Sequence, residues 1–228
     1  MQLTNHLTSN HLTHKFESAY RAGDSTETAL LRIVDDFLAA SEASQVSILT
    51  LLDLSAVFDT TDLSILLCRL EQYFGVSGLA LSWFKSCLSN RFRFVSASGS
   101  NSRLGYGVQQ GTVLGSILFV LYTQPLSQIL FNHSCPHQFF ADDSHLHKSC
   151  SPEYYDDTRN AFQTCISDIQ NWMTENKLQL NADRTETMLF NSSKLKHQPE
   201  PLSICQATIS VSDSVRNLGF YLDNLLVR

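Results

Sequence analysis

Apolar positions run along this chain with two alternating periods. QVSILTLLDL (45–54) is an almost unbroken apolar run with β-branched residues, closed by Asp53, and its length predicts a buried strand. Before it, TETALLRIVDDFLAASEA (26–43) has apolar residues at helical spacing behind a Ser/Thr-rich start, so a helix is expected with its cap at Ser25 or Thr26. LSILLCRLEQYFG (63–75) and GLALSWFKSCLSN (78–90) predict two helices around Gly75 and Gly78, and RFRFVSAS (91–98) alternates as a strand. Residues 112–131 predict one long helix. HQFFA and SHLHKS then read as two short strands flanking Asp142 and Asp143, a hairpin with the aspartates at its turn. Between 152 and 178, apolar residues at 155, 162, 165, 166, 169, 172 and 173 mark one helical face, and TETMLF, ATISVS and LGFYLD predict closing strands.

At 228 residues the chain can bury a sizeable core as one large domain or two small ones. The apolar window 111–130 is interrupted by Thr123, Gln124, Pro125, Ser127 and Gln128, so a soluble chain without a membrane partner is expected, and no secretory signal opens it. Six scattered cysteines form no CxxC or CxxH pattern and predict reduced thiols. The net charge of −6 sets a constraint on any nucleic-acid role, because proteins that grip phosphates carry a basic face. That face must be absent or supplied elsewhere. The one loop-like shift in composition is NSSKLKHQPEP (191–201), the first place to divide the chain.

Adjacent carboxylates repel, each raising the other's pKa, unless cations or strong donors sit beside them. A pair of Mg²⁺ ions meets that cost, since hard divalent cations take oxygen ligands and a two-metal site serves both the attacking and the leaving oxygen. Asp53, a charge ending an apolar strand, is the candidate third carboxylate. Aspartate is also a common turn former, so the pair by itself leaves both readings open. Histidines 6, 11, 14, 145 and 147 read as surface or packing residues.

LLDLSAVFDTTDLSILLCRLEQYFGVSG, GVQQGTVLGSILFVLY, FFADD, WMTENKLQLNADRTETMLF and VRNLGFYLD, in this order, resemble the palm motifs of LINE-type, non-LTR retrotransposon reverse transcriptases, from about Ser18 to Asp223. The resemblance implies an α+β polymerase palm, a ferredoxin-like antiparallel sheet packed on helices, with partial fingers. It implies RNA-directed DNA polymerase activity with two Mg²⁺ ions, an RNA template, a DNA primer and dNTPs. It places metal binding on Asp53 and Asp142, with Asp143 the less strictly placed third carboxylate. Phe58 falls where the family keeps a ring under the sugar of the incoming nucleotide, a steric bar to a 2′-hydroxyl. Gln110 and Gly111 fall in the loop that shapes the nucleotide pocket, and Arg21 is available for phosphate or template contact.

Several positions depart from the family pattern. Gln109 and Ser116 replace prolines, Thr112 a serine and Asp24 a histidine, while Arg184 stands where these enzymes carry a lysine thought to protonate pyrophosphate. Arginine binds phosphate well but is a poor proton donor. Family members are far longer, so residues 1–46 are expected to be a partial fingers segment, 47–190 the palm, and 191–228 a linker and end-of-palm hairpin with the thumb absent. The chain alone is then expected to bind Mg²⁺ and to polymerise poorly or not at all. Besides a polymerase, a non-catalytic remnant or interaction module and a nucleotide cyclase fit a palm; QQG before the long helix and Phe58 argue against the cyclase. The family's life cycle implies a nuclear or cytoplasmic location.

Overall fold

The computed structural model describes residues 2–55, 60–89, 91–95, 100–104 and 112–223. Its helices are α1 (Gln2–Ser9), α2 (Thr26–Glu42), α3 (Leu63–Gln72), α4 (Gly78–Leu88), α5 (Val113–Thr123), α6 (Leu126–Asn132) and α7 (Tyr155–Glu175). Its strands are β1 (Val46–Leu52), β2 (Leu54–Ser55), β3 (Arg91–Val95), β4 (Ser100–Leu104), β5 (His137–Phe140), β6 (Asp143–Cys150), β7 (Gln179–Leu180), β8 (Glu186–Phe190), β9 (Leu202–Ile204), β10 (Ala207–Ile209), β11 (Val211–Ser212), β12 (Ser214–Asn217) and β13 (Phe220–Asp223).

Contacts divide the chain into two units, one of residues 1–15, 56–124 and 176–178, the other of 16–55, 125–175 and 179–228. Helix α2 and strand β1 share one core.

The second unit is built on a five-stranded sheet in the order β11-β8-β1-β6-β5. Its neighbours are antiparallel except for β11 beside β8. The expected strand is β1, at the centre, with all seven residues buried. Side chains alternate between the two faces of a strand, so complete burial means that both faces are covered. On one face Leu49 and Leu51 join Met188 and Phe190 beneath Ile33 and Phe37 of α2, and Val215 and Leu222 close this core. The rings of Phe37 and Phe190 stand 4.2 Å apart. Helix α7 contacts β6, β7 and β9 and buries Phe162, Cys165, Ile166, Ile169 and Met173.

Helix α2 starts where a hydroxyl can replace the missing helical acceptor. Ser25 Oγ accepts the Thr28 N–H at 3.2 Å, and Thr28 Oγ1 accepts the Ser25 N–H at 2.8 Å, a reciprocal cap. Ser25→Ala is expected to cost about 1 kcal/mol, read as a lower urea midpoint at unchanged slope.

In the first unit the buried faces of α3 (Leu66, Leu70), α4 (Leu81, Phe84, Leu88) and α5 (Leu118, Phe119, Leu121, Tyr122) supply the core. Arg69 is buried among them. Its guanidinium donates to the Tyr122 carbonyl and to Asn176 Oδ1 and lies 4.5 Å from the centre of the Tyr122 ring. Burial holds its pKa below that of a free arginine.

The long helix expected over 112–131 is two helices, broken at Gln124–Pro125. Proline has no N–H to give the helical ladder and its ring crowds the preceding turn. Residues 113–132 have the length and mean hydropathy, 1.5, of a membrane span. Burial explains the same apolarity: Leu118, Phe119, Leu121 and Tyr122 lie in one core, Leu126 and Leu130 in the other.

Candidate active site

The register of the central strands positions three carboxylates. Strand β1 pairs antiparallel with β6 through Leu52↔Ser144, so the next step outward sets Asp53 beside Asp143. Strands β5 and β6 close through Phe140↔Asp143, leaving Ala141 and Asp142 as a two-residue turn. The expected hairpin is present, with Asp142 in its turn and Asp143 opening the second strand. Ala141 has φ +58°, and Asp142 is not among the residues with positive φ. A positive φ at the first central residue alone is the mark of a type II′ turn, a position that favours glycine. Asp53 is fixed from its other side, because its carbonyl accepts the Asn181 N–H at 2.9 Å and the following residue pairs through Leu54↔Leu180.

All three aspartates are half-buried. Among the described residues none forms an ion pair with a lysine, arginine or histidine. Burial, then the charge of Asp142, then that of Asp53, push the Asp143 pKa from 3.8 to about 6. The folded chain therefore holds this proton more tightly than the unfolded chain. The resulting stability is full below about pH 4 and is lost as pH rises through about 6. Discounted for partial exposure, the loss is expected to be about 1–2 kcal/mol, measured as a fall in unfolding free energy between pH 4 and 7. Asp143→Asn should remove that part of the pH dependence.

As a donor set, three carboxylates suit a hard divalent cation. Strand pairing brings their backbones together. Among the described residues, however, no three histidine, cysteine, aspartate or glutamate side chains enclose an ion as they stand.

The other expected site residues are spread. Arg184 is exposed at the end of a 3₁₀ turn, Ala182–Arg184, three residues beyond the Asn181 that bonds Asp53. Arg21 is tethered, donating to the Glu17 carbonyl at 3.0 Å and standing 3.7 Å from Asp24. Asp24 also bonds Arg32 at 3.1 Å, so this departure from the family pattern serves as an anchor for two arginines. Phe58, Gln110 and Gly111 lie outside the described residues. His145 is fully buried and pushed down to about 3, and the buried His147 bonds Asp36 at 2.8 Å, both packing residues of β6. A cavity of about 750 Å³ lined by Arg32, Asp36, Gln138, His147 and Lys148 does not include the three aspartates. One residue near the hairpin gave no signal in the sequence: Glu17, 4% exposed, whose carboxyl accepts N–H groups from Ala19 and Ala141.

A buried central strand that ends in a carboxylate beside a carboxylate-tipped hairpin, in a mixed α+β unit, is a palm-like fold. The family model described as reverse transcriptase (RNA-dependent DNA polymerase) matches residues 1–222, and the chain belongs to that family. It is 26% identical over 226 residues to a protein of Drosophila melanogaster named "Probable RNA-directed DNA polymerase from transposon X-element". That match covers 94% of this chain and 24% of the relative, so the chain spans about a quarter of the relative's length. Among solved structures, apo telomerase from Candida tropicalis is similar at TM-score 0.66 and 14% identity, over 100% of this chain and 39% of that one. Telomerase from Candida albicans, solved with a fragment of telomeric RNA, is similar at TM-score 0.60 and 15% identity, over 97% and 36%. These two likenesses concern the fold.

Proposed function

We propose that this chain is the palm of an RNA-directed DNA polymerase of the non-LTR retrotransposon type, which adds a dNTP to a primer 3′-hydroxyl on an RNA template. The observation that carries the proposal is the register that sets Asp53 beside Asp143 at the tip of the β5–β6 hairpin. Asp53 and Asp142 would hold two Mg²⁺ ions, with Asp143 the third carboxylate. When bound, such a pair supplies charge stabilisation to the attacking and leaving oxygens of an in-line displacement. The carboxylates themselves orient what binds there, on a strand end and a hairpin whose backbones are hydrogen-bonded. Most of the work in phosphoryl transfer is positioning and electrostatics, and no covalent nucleophile is required. Arg184, exposed beyond Asn181, would serve as a phosphate contact that keeps its proton. Phe58 would exclude a 2′-hydroxyl, and Gln110 and Gly111 would shape the nucleotide pocket.

A non-catalytic module that retains the fold is favoured by one observation, the side chains of the three aspartates not enclosing an ion as they stand. Single-nucleotide incorporation on an RNA template with Mg²⁺, compared between this chain and Asp142→Asn, separates the two readings. Incorporation lost in the variant supports the polymerase, and equal signals from both proteins contradict it.

A further inference from the structure

The segment before α2 lies along the outer edge of the hairpin strand β5. Glu17 forms a parallel bridge with Phe139, the Ser18 N–H donates to the Phe139 carbonyl at 3.0 Å, and the Phe139 N–H donates to the Phe16 carbonyl at 2.8 Å. Gln138 Nε2 fastens the same edge, donating to the Phe16 carbonyl at 2.8 Å and to Ser18 Oγ at 3.0 Å. From this clamp the buried Glu17 side chain reaches the turn itself, where Oε1 accepts the Ala19 N–H at 2.7 Å and the Ala141 N–H at 3.3 Å. Ala141 is the residue whose positive φ an L side chain rarely adopts, and it immediately precedes Asp142.

We infer that Glu17 is a positioning residue: its carboxyl group holds the Ala141 corner in the left-handed range and thereby sets the direction in which Asp142 and Asp143 leave the turn. A carboxyl is suited to this place because one oxygen takes two backbone N–H groups that burial would otherwise leave without an acceptor. Alanine at 141 lacks the freedom glycine would have, so the corner depends on an external acceptor. The inference rests on the polymerase reading for its consequence, but its mechanical part concerns the turn alone.

Two measurements on the chain test it: Mn²⁺ affinity by titration, and exchange of the Ala141 amide hydrogen by NMR. Glu17→Ala is expected to weaken Mn²⁺ binding about tenfold or more, the usual effect of removing a group that orients a ligand, and to speed Ala141 exchange. Glu17→Gln keeps an acceptor oxygen and is expected to retain both properties. Ala141→Gly added to Glu17→Ala is expected to restore affinity, since glycine takes the positive φ without strain. Should Glu17→Ala fail to fold, Glu17→Asp, shorter by one methylene, carries the same expectation. A folded Glu17 variant with unchanged affinity and a slow Ala141 amide overturns the inference, as does a rapidly exchanging Ala141 amide in the unaltered chain. If the unaltered chain binds no Mn²⁺, the polymerase reading fails, while Ala141 exchange in Glu17→Ala and Glu17→Gln still decides whether Glu17 holds the turn.

Discussion

Asp53→Asn is expected to reduce the chain's weak nucleotide incorporation to background, as the loss of a ligand to the ions that stabilise the transition state requires, and at the same time to make the metal-free fold more stable. Asp53 contributes one of the two neighbouring charges that push Asp143 upward, and no cation among the described residues offsets it. Removing that charge relieves repulsion in the folded state at pH 8 while removing a ligand. A gain on the order of 1 kcal/mol in chelator-treated protein is therefore expected beside the loss of activity. Urea unfolding with and without chelator, run with single-turnover incorporation, reads both. A variant that lost activity and stability together would have damaged the core instead, since Asp53 continues directly from the fully buried β1.

Arg69→Ala is expected to cost about 3 kcal/mol or more in the urea unfolding of the chain. The guanidinium donates to the Tyr122 carbonyl and to Asn176 Oδ1 and lies over the Tyr122 ring. Tyr122 in turn donates its hydroxyl to the Asn176 carbonyl at 2.5 Å, so α3, α5 and residue 176 meet in one network. Truncation strands both acceptors and empties the space of the side chain. Arg69→Lys is expected to recover only part of the loss, because a single ammonium cannot reproduce the planar fork. A cost below about 1 kcal/mol for the alanine variant would show that water replaces these bonds freely. Incorporation kinetics need not change beyond what stability dictates, which distinguishes Arg69 from Asp53.

The central strand, the α2 cap and the aspartate hairpin were legible because each rests on local chemistry. Seven successive buried positions before Asp53 leave little besides a strand between two covered faces. Ser25 and Thr28 cap α2 reciprocally, and Phe140 to Asp143 form a hairpin with a two-residue turn. The break at Pro125 was legible in principle, since proline forbids the ladder, but the apolar pattern on either side of it runs at one period. Long-range pairings left no trace in the pattern. The parallel contact of β11 with β8 is set by the connection 191–210, which itself carries the β9–β10 pair, and the two contact units interleave along the chain. Glu17 was hidden for the same reason. Within KFESAY it resembles a surface charge, and only the fold brings it to the Ala141 amide 124 residues away.

Mn²⁺ titration followed by electron paramagnetic resonance, on the chain and on Asp53→Asn and Asp142→Asn, tests the central claim most directly. Two bound ions close enough to couple magnetically are expected in the unaltered chain, with loss of that coupled pair in either variant. Absence of binding in the unaltered chain, or binding indifferent to both substitutions, would contradict it.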